Sequence, residues 1–242
     1  MEYIFISPHL DDLILSACDF IIYLKKHNNK IKVITIFTDF GKGPLSLDAR
    51  KYLIKSNCLL LRNFAKKRKN EDKKAMKLLE INNFIYLDFV DAAFRLNEKG
   101  PLSQKIYSLL GIGNRFLYPK FNKQSLYSKK ISKEDSLLSI EIFNKLSKHV
   151  SQKSILCLPI AQKTHIDHVI TNIVGNKFNN KKLFWLDQPY NKKSKKFKKY
   201  KLSTNFSISN TKYKAVSLYK SQVKQLFPEG IKLTKEQIYE KN

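Results

Sequence analysis

The sequence predicts an α/β protein in which a mostly parallel sheet carries helices on both faces. Three observations predict it. Short apolar runs alternate with longer segments of helical periodicity, as in successive βαβ units. The runs Tyr3-Ile4-Phe5-Ile6 and IKVITIFT (31–38) are apolar throughout, as buried parallel strands are. Clusters of histidine and aspartate follow directly on two of the runs, where open α/β sheets hold their ligands.

The elements follow in order. Residues 3–6 form the first strand. Residues 11–26 form a helix, with Leu13, Ile14, Ala17, Cys18, Ile21 and Ile22 at helical spacing, and His27-Asn28-Asn29 ends it. Residues 31–38 are the second strand, closed by Asp39-Phe40-Gly41-Lys42-Gly43. Residues 44–64 read as a long connection, of the kind that is usually functional or mobile. A helix is expected over 66–81, with Ala75, Leu78 and Leu79 inward, and a third strand over 85–89, ending near Asp88 and Asp91. Gly100-Pro101, Gly111 and Gly113 break up residues 92–131, which read as an irregular insertion. Ser132 and Asp135 make a capping-box pattern that opens a helix to about residue 150. Residues 154–160 are a fourth strand. A helix then starts at 165–168, and a fifth strand at 183–186 is closed by Asp187-Gln188-Pro189-Tyr190. Residues 191–203 read as a lysine-rich loop, 212–227 as a helix and the last residues as a polar tail. The expectation is one domain over 1–242, without internal repeats.

Composition narrows the function classes. The 242 residues are 43% apolar, enough for a substantial core. No stretch approaches the roughly 20 apolar residues of a membrane span, and the N-terminus lacks the features of a signal peptide. A cytoplasmic protein is expected, with peripheral membrane contact left open. Cys18, Cys58 and Cys157 are scattered and form no CxxC pair, which argues against a disulfide framework or a cysteine zinc site. The formal charge of +26 suggests an anionic partner or nucleic acid. Lysine far outnumbers arginine, however, and arginine is the usual reader of bases. Most of the charge therefore reads as solvated surface.

The chemistry lies in Ser7-Pro8-His9-Leu10-Asp11-Asp12 and His165-Ile166-Asp167-His168. His9 and Asp12 are three apart, as are His165 and His168, a spacing that puts both side chains on one face of a first helical turn. His9, Asp12 and His168 would give zinc three protein ligands and leave a position open. Asp11, beside a ligand, could take a proton from water. His165 could stabilise an oxyanion or protonate a leaving amine, and Asp167 could fix the tautomer of a histidine. The blander alternative is that Asp11 and Asp12 cap a helix. His27 and His149 stand at helix ends and are assigned no chemistry.

These two motifs resemble the proline-His-x-Asp-Asp and His-x-Asp-His motifs of the PIG-L/LmbE-like zinc-dependent N-deacetylases. Fainter similarities are Thr38-Asp39 with Gly41, Arg68 near Glu71, Asp187-Gln188-Pro189-Tyr190, and the closing run through Lys212, Ala215, Tyr219 and Ser221-Gln222. Leu13 departs from the commonest pattern, which has a glutamate or small residue there. The resemblance implies a Rossmann-like three-layer sandwich, with Zn2+ on His9, Asp12 and His168. It makes Asp11 the general base, pairs His165 with Asp167, and puts Arg68 and Asp39 in contact with substrate. It implies removal of acetyl from an N-acetylglucosamine-type sugar in a nucleotide-, lipid- or glycan-linked substrate, phosphate-bearing forms included. The rivals are another metallohydrolase such as a phosphoesterase, a basic nucleic-acid-binding protein and a carbohydrate binder without turnover.

Overall fold

The structure is a computed structural model, and it describes residues 1–42, 45, 47–95, 131–161, 165–190, 197 and 199–242. Its strands are β1 (Glu2–Ser7), β2 (Lys30–Asp39), β3 (Phe84–Val90), β4 (Ile155–Pro159), β5 (Lys182–Trp185), β6 (Tyr200–Phe206) and β7 (Glu236–Lys241). Its helices are α1 (Asp12–Lys26), α2 (Leu47–Lys55), α3 (Leu61–Leu78), α4 (Lys133–Ser147), α5 (Ile166–Asn176), α6 (Asn210–Ser217) and α7 (Lys220–Leu226). The strands form one sheet in the order β3-β2-β1-β4-β5-β7-β6. The first five are parallel, and β7 pairs antiparallel with both β5 and β6.

Alternation along β1 builds the layers. Ile4 and Ile6 point to one face, where they pack with Ile142 and Leu146 of α4 and with Ile170 and Val174 of α5. Phe5 points to the other, among Ile14 and Ile21 of α1, Ala75 of α3 and Ala215 of α6. Each of the buried isoleucine, leucine, valine and phenylalanine side chains contributes about 1.5–3 kcal/mol from the area it removes from water. Gly175 lets α5 lie directly on the sheet, because a Cβ there would stand 2.4 Å from the Leu158 side chain.

The mostly parallel sheet with helices on both faces is as expected, and so is the capping box of α4, made by Ser132 and Asp135. Four local readings are corrected. The connection over 44–64 contains α2 and the first turn of α3. Ala49 and Leu53, one helical turn apart, join Phe64, Phe40 and Phe94 in a separate small core, a pattern hidden by the surrounding lysines. The helix over 212–227 is two helices, broken at Tyr219 (φ −83, ψ 56). The loop over 191–203 gives way to strand at Tyr200, while 191–196 and 198 lie outside the described residues. The polar tail is β7, whose Glu236, Ile238 and Tyr239 are buried. Its charges misled the reading because Glu236 is buried against Lys212. Of the expected insertion, 96–130 fall outside the described residues, and Ala92 to Phe94 form a turn.

Candidate active site

β1 and β4 are neighbours at the centre of the sheet, where the strand order reverses. α1 leaves β1 on one face and α5 follows β4 on the other, so a crevice opens between the ends of the two strands. Both predicted clusters stand there.

Asp11 occupies the N-cap position of α1 but makes no side-chain cap bond. Its Oδ1 instead accepts from an Arg68 nitrogen at 3.1 Å. Asp12 does not cap the helix either: its Oδ2 accepts from His9 N at 3.0 Å and lies 2.9 Å from His9 Nδ1 and 3.2 Å from His168 Nε2. Capping therefore does not account for this pair of aspartates. Ligand atoms of His9, Asp12 and His168 all lie within 4.8 Å of one another.

His168 carries the clearest sign of a missing partner. Its Nδ1 is 2.7 Å from Asp187 Oδ1, and the other Asp187 oxygen accepts from Ala161 N at 2.8 Å. Its Nε2 is buried, faces Asp12 and lacks an aligned hydrogen bond. One nitrogen held by a carboxylate and the other presented to a cluster of donors is how metal-ligating histidines are built.

A second group, His9, His165 and Asp167, also lies within ligand distance. Its carboxylate is already used. Asp167 Oδ1 accepts from Arg95 at 2.7 Å, and Oδ2 accepts from Ala92 N at 2.8 Å while standing 3.1 Å from His9 Nε2. A carboxylate neutralised by guanidinium is a poor ligand, so His9, Asp12 and His168 fit a cation better.

The electrostatics agree. Burial alone would lower the His168 pKa, but Asp12 and Asp187 push it up to about 10. Burial likewise opposes charge on His9, and Asp91 and Asp12 raise its pKa well above the usual value. Burial works against ionised Asp12, yet His168 and His9 hold its pKa well below the ordinary carboxylate range. The three side chains thus favour positive charge between them, as imidazolium protons or as a metal cation. Burial raises the Asp11 pKa, Arg68 opposes and the Asp12 charge adds to the rise. Burial lowers His165 to about 4 despite the pull of Asp167 and Asp91, so the ring is neutral at pH 7. His165 Nδ1 accepts from Asp167 N at 3.4 Å, which leaves Nε2 to carry the proton.

A cavity of about 550 Å³ opens over this group. His9, Asp11, Asp12, Arg68 and His165 line it, and Asp167 and His168 lie behind them. Asp39 does not line it: its carboxylate accepts from Phe40 N, and it reaches the cavity only by accepting from Asp91 N with its carbonyl. Sequence reasoning missed four residues here. Asp91 lines the cavity 3.6 Å from His9 Nε2. Tyr52 accepts from Arg68 at 3.0 Å and donates to Gln222. Asp187 holds His168. Asp91 was read only as a strand-end residue, Asp187 and Gln222 only as parts of the Asp187-Gln188-Pro189-Tyr190 and Ser221-Gln222 patterns, and Tyr52 lies in a helix that was not expected.

The fold and the paired aspartate–histidine clusters define an α/β protein with a buried site suited to a divalent cation. The chain belongs to the PIG-L family, described as GlcNAc-PI de-N-acetylase, which it matches over residues 4–178. It is 27% identical to the 2'-N-acetylparomamine deacetylase of Niallia circulans over 94% of this chain and 82% of that one. Its fold is similar to that of a deacetylase from teicoplanin biosynthesis (TM-score 0.68, 19% identity, 100% of this chain and 99% of the other). The N,N'-diacetylchitobiose deacetylase of Pyrococcus horikoshii is a further structural relative (TM-score 0.51, 13% identity, 100% and 83%).

Proposed function

We propose that the protein is a zinc-dependent hydrolase that removes the N-acetyl group from an N-acetylated sugar. The observation that carries this reading is the set His9, Asp12 and His168, with His168 Nε2 unsatisfied and Asp11 beside the set but outside it. The names of the relatives, which describe deacetylases of N-acetylated sugar-containing compounds, support the choice of substrate.

Zinc on these three ligands would supply a Lewis acid and bring the pKa of a water toward about 7. Asp11 takes the proton of the attacking water and passes it to the amine nitrogen as the C–N bond breaks, giving acetate and a free amino sugar. Arg68 keeps Asp11 aimed while Tyr52 and Gln222 brace Arg68. Neutral His165 donates from Nε2 to the acetyl oxygen as charge grows there, a role that suits it better than that of proton donor. Asp167 orients His9 and caps the turn at Ala92. Lys51 and Lys55 line the same cavity and favour a sugar that bears an anionic group such as phosphate. The unpaired, buried cysteines support a reducing compartment such as the cytoplasm.

The test is acetate release from a panel of N-acetylated sugars, with the protein zinc-loaded or chelated. Equal yields of acetate and free amine, lost on chelation and restored by zinc, are expected. Release of phosphate without acetate would replace this reading with a phosphoesterase.

A further inference from the structure

Outside the cleft, the corner where α2 passes into α3 breaks several local rules together. Leu59 is 81% exposed, Leu60 64% and Ile54 60%. Leu60 occupies the N-cap of α3 and makes no cap bond, where a solvated helix favours serine, threonine, aspartate or asparagine. The first turn of α3 has no acidic residue and carries Arg62, a cation at the positive end of the helix dipole. Each of these choices lowers the stability of a helix in water. Local rules broken together are expected where a surface serves another purpose.

The surroundings are cationic. No aspartate or glutamate occurs between Asp48 and Glu71, a stretch with eight lysines and arginines. Lys51, Lys55, Arg62 and Lys66 are exposed. Ile54, Leu59 and Leu60 also line a groove of about 460 Å³, with Leu45, Leu53 and Lys42. Exposed branched apolar side chains ringed by cations match the interfacial region of an anionic bilayer. The leucines enter the acyl boundary while the lysines meet the headgroups.

We propose that this corner docks the protein on an anionic lipid surface. Charge complementarity selects this occupant, since a second copy of the chain would bring the same cations into opposition. The corner also adjoins the cleft: Lys51, Tyr52 and Lys55 of α2 line the cavity, so docking would hold its mouth near the lipid surface. The proposal does not depend on which reaction the cleft performs.

The experiment is flotation of the full chain with phosphatidylglycerol/phosphatidylcholine vesicles and with pure phosphatidylcholine vesicles. Binding to the anionic vesicles alone, weakened at 0.5 M salt, is expected. Leu59→Ser with Leu60→Ser supplies a favoured N-cap, so the thermal midpoint should hold while partitioning falls by about tenfold or more. Arg62→Glu with Lys66→Glu should reduce partitioning to a similar extent. Absence of wild-type binding to anionic vesicles, or equal binding by both double variants, overturns the proposal. Self-association that the leucine variant abolishes, without vesicle binding, would assign the face to a second copy and also overturn it.

Discussion

Two buried clusters of charge lie in this molecule, and their difference separates structure from chemistry. Under α1, Lys212 Nζ lies 2.8 Å from Glu236 Oε1, with both side chains fully buried. The Glu236 carboxylate also accepts from Asp19 N and Phe20 N at 2.9 Å, just beyond Ala17, where α1 leaves helical geometry (φ −144, ψ 20). A cation meets an anion, and the amides freed by the kink find acceptors. At the crevice, Asp11 and Asp167 pair with Arg68 and Arg95, while Asp12, Asp91 and Asp187 stand against the histidines His9 and His168. Their charge is matched by imidazolium protons or by a bound cation, and a cavity opens over the group. A balanced buried ion pair holds the fold, whereas an unbalanced cluster has a place for a cation.

His168→Ala breaks the unbalanced cluster most directly. It should abolish stoichiometric zinc binding by elemental analysis and lower acetate release by about 10³-fold or more, through loss of the metal's contribution. A variant with full zinc content would remove His168 from the ligand set. Asp11→Asn should keep zinc yet lose about 10²–10⁴-fold in kcat, the usual scale for a positioned acid–base group. Retained turnover would show that the proton moves by another route.

The balanced cluster should respond in the opposite sense. Glu236→Gln leaves Lys212 buried without its counter-ion and should cost about 3–5 kcal/mol in denaturant unfolding. Zinc content of the folded fraction should stay unchanged. If zinc were lost instead, the two clusters would not be separate units. A smaller effect is expected of Asp187→Asn, which weakens the grip on His168 Nδ1. Zinc affinity should fall by about 10–100-fold with the fold intact, as read by competition with a chelator.

The two clusters also differed in how far the sequence revealed them. His9, Asp11, Asp12, His165, Asp167 and His168 were legible because each follows a buried strand within a few residues, so topology brings local motifs together. β1 to β5 were legible because apolar strands covered on both faces leave a continuous signal. Glu236 was not legible. Its partner Lys212 lies on another element, and a buried charge in a short polar strand looks like a solvated tail until that partner is known. α2 was missed for a related reason: it packs against a small satellite core of Phe40, Phe64 and Phe94 rather than the sheet. With it went Tyr52, and with Tyr52 the bracing of Arg68.

Asp72 of α3 offers the finest test, because it is a buried carboxylate held by two phenols, on which Arg68 and Asp11 act only through space. It is 1% exposed and accepts from Tyr219 at 2.7 Å and from Tyr86 at 2.8 Å. Burial raises its pKa to about 7, although both phenols favour the charged form. The folded protein then keeps this proton up to about pH 7, while the unfolded chain releases it near its ordinary value of 3.8. Between those values the folded state binds more protons. The contribution is therefore fully present below about pH 4 and is lost as pH rises through 7. Asp72→Asn should remove that slope, which is at most about 1.4 kcal/mol per pH unit. Denaturant unfolding of wild type and variant from pH 4 to pH 8 measures it. Wild-type stability should fall relative to the variant as pH rises. Parallel profiles would mean that two phenols suffice to keep a buried carboxylate ionised, and the contrast between balanced and unbalanced clusters would then rest on hydrogen bonds rather than on charge.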